Sequence, residues 1–285
     1  MANNLVTITE CPRDAMQGIV PFIPTEDKID YLNQLLKAGF DRLDFGSFVS
    51  PKAIPQMRDT AEVLAGLDTG STTQLLAIVA NNRGAQDAAS HERIHFLGFP
   101  FSISETFQMR NTNQTIAQAV QTVQSMLETC AKHNKIPLVY LSMGFGNPYG
   151  DPWNEEIVAQ YTTTLITEGV RHIALADTTG SSTPASIQSM YTFLSKEFPD
   201  AEWGLHLHST PQEAQLKIDA GLAAGCRHFD TAIRGFGGCP MAKDDLTGNI
   251  ATETLISSIN NQSLTTNLNY EALDNALAAS WKVFH

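Results

Sequence analysis

Clusters of basic residues are missing from this 285-residue chain, and 30 Asp+Glu against 18 Lys+Arg give it a formal net charge of −12. A surface of that sign repels polyanions, which argues against a nucleic-acid partner. No apolar run approaches the roughly 18 residues of a membrane span, and no basic-then-apolar start marks a secretory leader. Only four cysteines occur, Cys11, Cys130, Cys226 and Cys239, and none forms a CxxC pair. That is sparse for a secreted disulfide scaffold, so the expected setting is a reducing cytoplasm. Linkers, low-complexity tracts and charge runs are absent too, and the expectation is one domain over residues 1–285. Hydrophobic residues at 42% against 17% charged still supply a substantial core.

What is present is an alternation. Short β-rich runs fall at Leu5–Thr9, Arg42–Phe45, Gln74–Val79, Ile94–Leu97, Leu138–Ser142, His172–Ala176, Trp203–His208 and His228–Ala232. Helix-like stretches lie between them. One enters at Thr25, runs through Ile29, Leu32, Leu35 and Leu36, and ends at Gly39; others span about Thr115–Lys132 and Pro184–Lys196. Alternating β and α units imply a parallel sheet, and eight of them favour a closed (β/α)8 TIM barrel. A doubly wound sheet is the competitor, but its glycine fingerprint after the first strand is missing.

The most informative stretch is His206-Leu207-His208 inside the seventh run. Residues i and i+2 of a strand share a face, so both imidazoles converge on one point, as two ligands of one divalent metal must. Core or surface histidines are the bland alternative. Barrel active sites lie where strands end, and polar residues gather there. They are Arg13 and Asp14 after the first run, Asp44 and Ser47 at the second, Ser142 and Asn147 at the fifth, and Asp177 and Thr178 at the sixth. After the eighth comes Gly235-Phe236-Gly237-Gly238-Cys239-Pro240, a glycine-rich loop with a thiol at its tip. His91, His95, His133 and His172 stand singly and are read as structural, as are Cys130 and Cys226.

Taken in order, these segments resemble a known family. Pro12-Arg13-Asp14-Ala15-Met16-Gln17 looks like the PRDGLQ motif of the 3-hydroxy-3-methylglutaryl-CoA (HMG-CoA) lyases, and Ser47-Phe48-Val49-Ser50-Pro51-Lys52 matches their SFVSPK. Asp177-Thr178-Thr179-Gly180, Gly204–His208, Gly237-Gly238-Cys239-Pro240 and Gly248–Glu253 follow in the family's order, over roughly residues 5–280.

The resemblance implies a metal-dependent retro-Claisen cleavage of HMG-CoA to acetyl-CoA and acetoacetate. Asp14, His206, His208 and the Asn249 amide oxygen would hold Mg2+ or Mn2+. Arg13 would stabilise the enolate oxygen, Cys239 would protonate the carbanion, and the base would be His206 or Asp14. Gln17, Ser47, Asp44, Asp177 and Thr178 complete the expected substrate and catalytic set. Barrels of this kind often dimerise, so a homodimer is an open alternative.

Four departures bear on the acyl group. Ala15 replaces a glycine and Asp44 replaces a glutamate. Thr9 stands where the lyases carry glutamate, with Glu10 beside it on the opposite face. The segment between Cys239 and Asn249 is one residue longer. A Claisen condensing enzyme, a lyase for a 4-hydroxy-2-oxo acid and a non-catalytic metal-binding barrel are the competing functions. The first usually adds a further C-terminal domain, and the second has no need of Cys239.

Overall fold

Each of the eight β-rich runs forms a strand, and the eight strands close into a ring. A computed structural model describes residues 4–238 and 247–284. The strands are β1 (Thr7–Glu10), β2 (Arg42–Ser47), β3 (Gln74–Ile78), β4 (Ile94–Ser102), β5 (Ile136–Ser142), β6 (His172–Asp177), β7 (Glu202–Ser209) and β8 (His228–Thr231). Each pairs in parallel with its sequence neighbours, and β8 returns to β1, with Thr7 opposite His228 and Thr9 opposite Asp230. The result is the expected (β/α)8 barrel.

A ninth strand, β9 (Gly248–Asn249), pairs antiparallel with the end of β7, so that Asn249 lies opposite His208. The helices are α1 (Pro12–Met16), α2 (Thr25–Ala38), α3 (Thr60–Gly66), α4 (Asn82–Ser90), α5 (Glu105–Thr112), α6 (Ile116–His133), α7 (Glu155–Glu168), α8 (Pro184–Glu197), α9 (Pro211–Ala223), α10 (Thr252–Asn261) and α11 (Tyr270–Phe284).

The expected helix stops and starts are realised in part: Thr25 does not cap α2, since Pro24 holds the cap position and the Thr25 hydroxyl donates to Asp59. Gly39 takes a left-handed conformation (φ 76°) that α2 needs to stop, and its N–H donates to Leu36 O. Thr115 and Gln118 form a capping box at the start of α6, and Thr183 caps α8 just ahead of Pro184.

The strand ends differ from these runs by one to five residues, and β1, β2 and β4 show why. β1 begins at Thr7 rather than Leu5, whose only ladder contact is a bridge to Thr265. β2 runs on to Ser47 through an irregularity between Asp44 and Gly46. β4 continues five residues past Leu97, because its partner β5 offers pairing as far as Ser142 opposite Ser102.

The main core lies between strands and helices, where outward-facing Ile8, Leu43, Leu75, Leu97, Val139, Ile173, Leu205, Leu207 and Phe229 meet helical Leu32, Leu35, Val123, Leu165, Leu194 and Ile218. Inside the ring a small separate cluster forms from Leu76, Ile78, Phe96, Leu138, Tyr140 and Ala174. Gly98 makes room for it, since a Cβ there would sit 2.6 Å from Ile78 and 3.2 Å from the Tyr140 ring. The apolar cluster draws on β3–β6 alone; β1, β2, β7 and β8 point Thr7, Thr9, Arg42, Asp44, His206, His228 and Asp230 inward. Polar groups therefore occupy half of the barrel's interior, and they lead to the strand ends. No helix among the described residues is long and apolar enough to cross a membrane.

Cys130 and Cys226 are buried, and His95 accepts a hydrogen bond from the Leu75 N–H. His172 begins β6, at the opposite end of the barrel from the expected site.

Candidate active site

The first turn after β1 sets the site. Helix α1 begins with Pro12, which needs no N–H partner at that position, and it delivers Arg13 and Asp14 to the barrel mouth almost fully buried. Arg13 Nε donates to both Asp44 oxygens (3.2 and 3.0 Å), and its Nη2 donates to Asp44 Oδ2 at 2.5 Å. Its Nη1 donates to Asp14 Oδ1 (3.1 Å) and Gln17 Oε1 (3.0 Å), while Gln17 Nε2 donates to Asp14 Oδ1 (2.8 Å). A guanidinium between two carboxylates is thereby locked in one orientation.

Burial would raise the Asp14 carboxyl, but the charges of Arg13, His208 and His206 and a bond from Asn249 outweigh it and hold it at about 2. Burial, with Asp14 and Asp230 nearby, pushes Asp44 up to about 6 against the pull of Arg13.

On β7 both histidines face Asp14, as the two-residue spacing predicts. One ligand atom from each of Asp14, His206 and His208 falls within 4.8 Å of the others, and His208 Nε2 stands 3.9 Å from Asp14 Oδ2. His208 Nδ1 lies 3.0 Å from Thr178 O. A carbonyl can only accept, so Nδ1 carries the proton and Nε2 keeps its lone pair. That Nε2 is buried and has no hydrogen-bond partner among the described residues. Burial and the charge of His206 lower the His208 pKa, which keeps the ring neutral.

His206 Nδ1 lies 3.1 Å from the Asp230 carboxylate, which fixes its tautomer in the same way. Burial lowers the His206 pKa, yet the Asp230 bond and charge and the Asp14 charge outweigh it and raise the value overall. Two imidazoles oriented through their far nitrogens beside an ionised carboxylate could hold a divalent cation. Their mixed nitrogen and oxygen chemistry suits Mg2+ or Mn2+.

The other expected residues divide. Asn249 reaches the centre, but its amide nitrogen faces Asp14 Oδ2 (2.8 Å) and Phe236 O (2.9 Å). Asp44 and Gln17 join through Arg13. Ser47 is buried at the end of β2, where its hydroxyl donates to Ile78 O. Asp177 turns into its own loop, accepting from the N–H groups of Ser181 (2.8 Å) and Ser182 (3.0 Å) and from Lys217 Nζ (3.3 Å). Thr178 offers its carbonyl to His208 and its hydroxyl to the Met143 N–H. Asn147 organises the turn after β5 by accepting from Tyr149 and Asp151 N–H. Cys239 lies outside the described residues. Thr9 and Glu10 do face opposite ways. Thr9 lies 3.1 Å from His228 Nε2 inside the barrel, whereas Glu10 points outward to the Ile233 N–H (2.7 Å) and the Thr252 hydroxyl (2.6 Å).

Three residues escaped the sequence reading. Asp230 repeats on β8 the same two-residue spacing from His228 that joins the histidines on β7, a signal that could have found it. Tyr140 packs edge-on against His206 (5.4 Å between centroids), and its buried hydroxyl has no hydrogen-bond partner among the described residues. Lys217 looks like a helix-surface lysine, yet it is buried, and its ammonium donates to Asp177, Gly180 O (3.0 Å) and His208 O (3.1 Å).

Comparison with known proteins agrees with this geometry. The family model described as HMGL-like matches residues 6–279. A hydroxymethylglutaryl-CoA lyase of Bacillus subtilis is 33% identical over 97% of this chain and 91% of its own length. A 3-hydroxy-3-isohexenylglutaryl-CoA/hydroxymethylglutaryl-CoA lyase of Pseudomonas aeruginosa is 32% identical over 93% of this chain and 88% of its own. Among solved structures, an HMG-CoA lyase from Acinetobacter baumannii in complex with coenzyme A and 3-methylmalate superposes with a TM-score of 0.90. It is 30% identical over 99% of this chain and 92% of its own. The chain belongs to the HMGL-like family.

Proposed function

We propose that this chain is a carbon–carbon lyase that cleaves HMG-CoA to acetyl-CoA and acetoacetate with Mg2+ or Mn2+ bound. The observation that carries the reading is the convergence of Asp14, His206 and the unpartnered His208 Nε2 beside Arg13 at the mouth of a barrel of this family. Asp14, His206 and His208 would hold the ion, with the Asn249 amide oxygen as fourth ligand after its amide turns over. The bound ion supplies Lewis acidity toward substrate oxygens.

The residues do the rest. The tertiary hydroxyl loses its proton, C3–O becomes a carbonyl, and the C2–C3 electron pair moves into the thioester as an enolate. Arg13, held rigid by Asp44 and Asp14, faces that developing charge; loss of such a donor costs about 3–4 kcal/mol of barrier. Between the two candidate bases, Asp14 held at about 2 is the weaker acceptor. His206 is the stronger, because Asp230 supports its protonated form, and it would serve as base only while its other nitrogen is off the ion. Cys239 then protonates C2. Tyr140, with its hydroxyl unpaired beside His206, is placed to meet a substrate oxygen.

Residues 1–285 act as one catalytic domain on an acyl-CoA, in the cytoplasm, with a homodimer as the assembly. The test is acetoacetate formation from HMG-CoA with Mg2+ or Mn2+ and then with EDTA. Metal-dependent product supports the reading, and no product while Mn2+ binds would overturn the substrate. A longer 3-acyl chain is the second reading, favoured by the Pseudomonas relative and by Ala15 and Asp44; isohexenylglutaryl-CoA is its assay.

A further inference from the structure

His206 has two edges. One faces Asp14 and His208; the other faces Asp230 and, beyond it, a thiol that the mechanism leaves idle. Cys11 ends the β1 turn, buried at 1% exposure, and among the described residues its thiol makes one weak hydrogen bond, to Thr9 O at 3.7 Å. One ligand atom from each of Cys11, His206 and Asp230 lies within 4.8 Å of the others. The His206 Nδ1–Asp230 Oδ2 edge is already 3.1 Å. Around a tetrahedral zinc-like ion, with bonds of about 2.0–2.3 Å, such edges measure roughly 3.3–3.7 Å. A shift of about an ångström in the thiol would complete three legs of that polyhedron.

We propose that Cys11, His206 and Asp230 form a second, thiol-bearing cation site that takes a soft divalent ion such as Zn2+, Cd2+ or Co2+ and inhibits the enzyme by occupying the far edge of the His206 ring. A thiolate selects these ions over Mg2+, and imidazole with carboxylate completes a zinc-type set. Binding releases one proton, from the Cys11 thiol, while the neutral His206 ring carries its proton on Nε2 instead of Nδ1. The two anionic ligands, thiolate and carboxylate, then balance the dication inside the barrel.

Asp230 forms the inner wall of a cavity of about 310 Å3, lined by Thr7, Arg42, His172, Glu202 and His228. Apart from Asp230, these open β1, β2, β6, β7 and β8 at the N-terminal end of the barrel. Inhibition follows because the ion takes the place of the proton that orients His206 on Asp230. That consequence rests on the proposed lyase reading; the site itself does not.

Titration of the metal-free protein with Co2+ tests it. The wild type should develop a thiolate-to-cobalt charge-transfer band in the near ultraviolet, Cys11→Ser should lose it, and Cys239→Ala should keep it. Asp230→Asn should weaken Co2+ binding at least tenfold. In activity assays with saturating Mg2+, Zn2+ should inhibit the wild type, and Cys11→Ser should raise the inhibition constant tenfold or more. Cys11→Ala and an unchanged Mn2+ signal for both Cys11 variants guard against misfolding. A band that survives both Cys11 variants, or one lost only in Cys239→Ala, overturns the site. Zn2+ inhibition with no thiolate band assigns the ion to Asp14 and His208 and overturns it equally. A protein without lyase activity that still shows the Cys11-dependent band would sink the functional reading and leave the cation site standing.

Discussion

Replacing Lys217 by Met should loosen the loop that holds His208 while keeping the aliphatic stem. All three ammonium donors are used, on Asp177 Oδ2, Gly180 O and His208 O, and the group is buried at 1% exposure. Breaking a buried ion pair from one side destabilises by about 3–5 kcal/mol, because the other charge stays behind. Asp177 retains the N–H groups of Ser181 and Ser182 and the Ser182 hydroxyl, so its charge is partly satisfied. The two abandoned carbonyls add a smaller penalty.

The lower end, about 3 kcal/mol, is expected, or roughly 6–12 °C in Tm for a chain of this size. The loop carries the carbonyl of Thr178 that orients His208, so Mn2+ affinity should also fall, by about tenfold or more. Thermal unfolding and Mn2+ titration by EPR measure the two effects. A stability loss under about 1 kcal/mol would refute the assignment of Lys217 as a buried keystone. A large loss with unchanged Mn2+ affinity would refute its link to His208.

Other outcomes follow from single groups. Burial pushes Glu10 from an ordinary 4.5 up to about 8, against bonds from Thr252 and the Ile233 N–H. With the folded value above the unfolded one, its contribution to stability is complete below about pH 4.5 and is lost as pH rises through about 8. Glu10→Gln should therefore flatten the fall in stability over that interval, whose slope from this group is at most about 1.4 kcal/mol per pH unit; denaturant titrations at several pH values decide, and an unaltered slope would dismiss it. Asp230→Asn removes the acceptor that sets the His206 tautomer and should weaken Mn2+ binding 10- to 100-fold, with wild-type affinity counting against the role. Cys239→Ala should lower turnover by about 10²-fold or more with metal binding intact; full activity would make the thiol incidental.

Periodicity made the barrel legible, because short β-rich runs alternate with helix-like stretches, some of them marked by their own caps at Gly39, Thr115 and Thr183. The histidine pair was legible for the same reason, as spacing along a strand fixes the face. Where pairing rather than composition decides, the sequence said less. β4 keeps going through Gly98 and Pro100, two poor strand formers, because β5 runs beside it. β9 is two residues long and exists only because β7 overhangs. Asp230, Tyr140 and Lys217 act through neighbours remote in the chain, and nothing local distinguishes a helix-surface lysine from one turned inward.

The pairing of Asn249 with His208 has a bearing on how such an enzyme can diverge. Two ladder positions, His208↔Asn249 and Ser209↔Gly248, pin the far end of the segment after β8 directly to the strand that carries the histidines. The number of residues between Cys239 and Thr247 can then change without displacing Asn249. Length beyond the thiol becomes a tolerated source of novelty, while the chemistry carried by the strand ends is inherited intact.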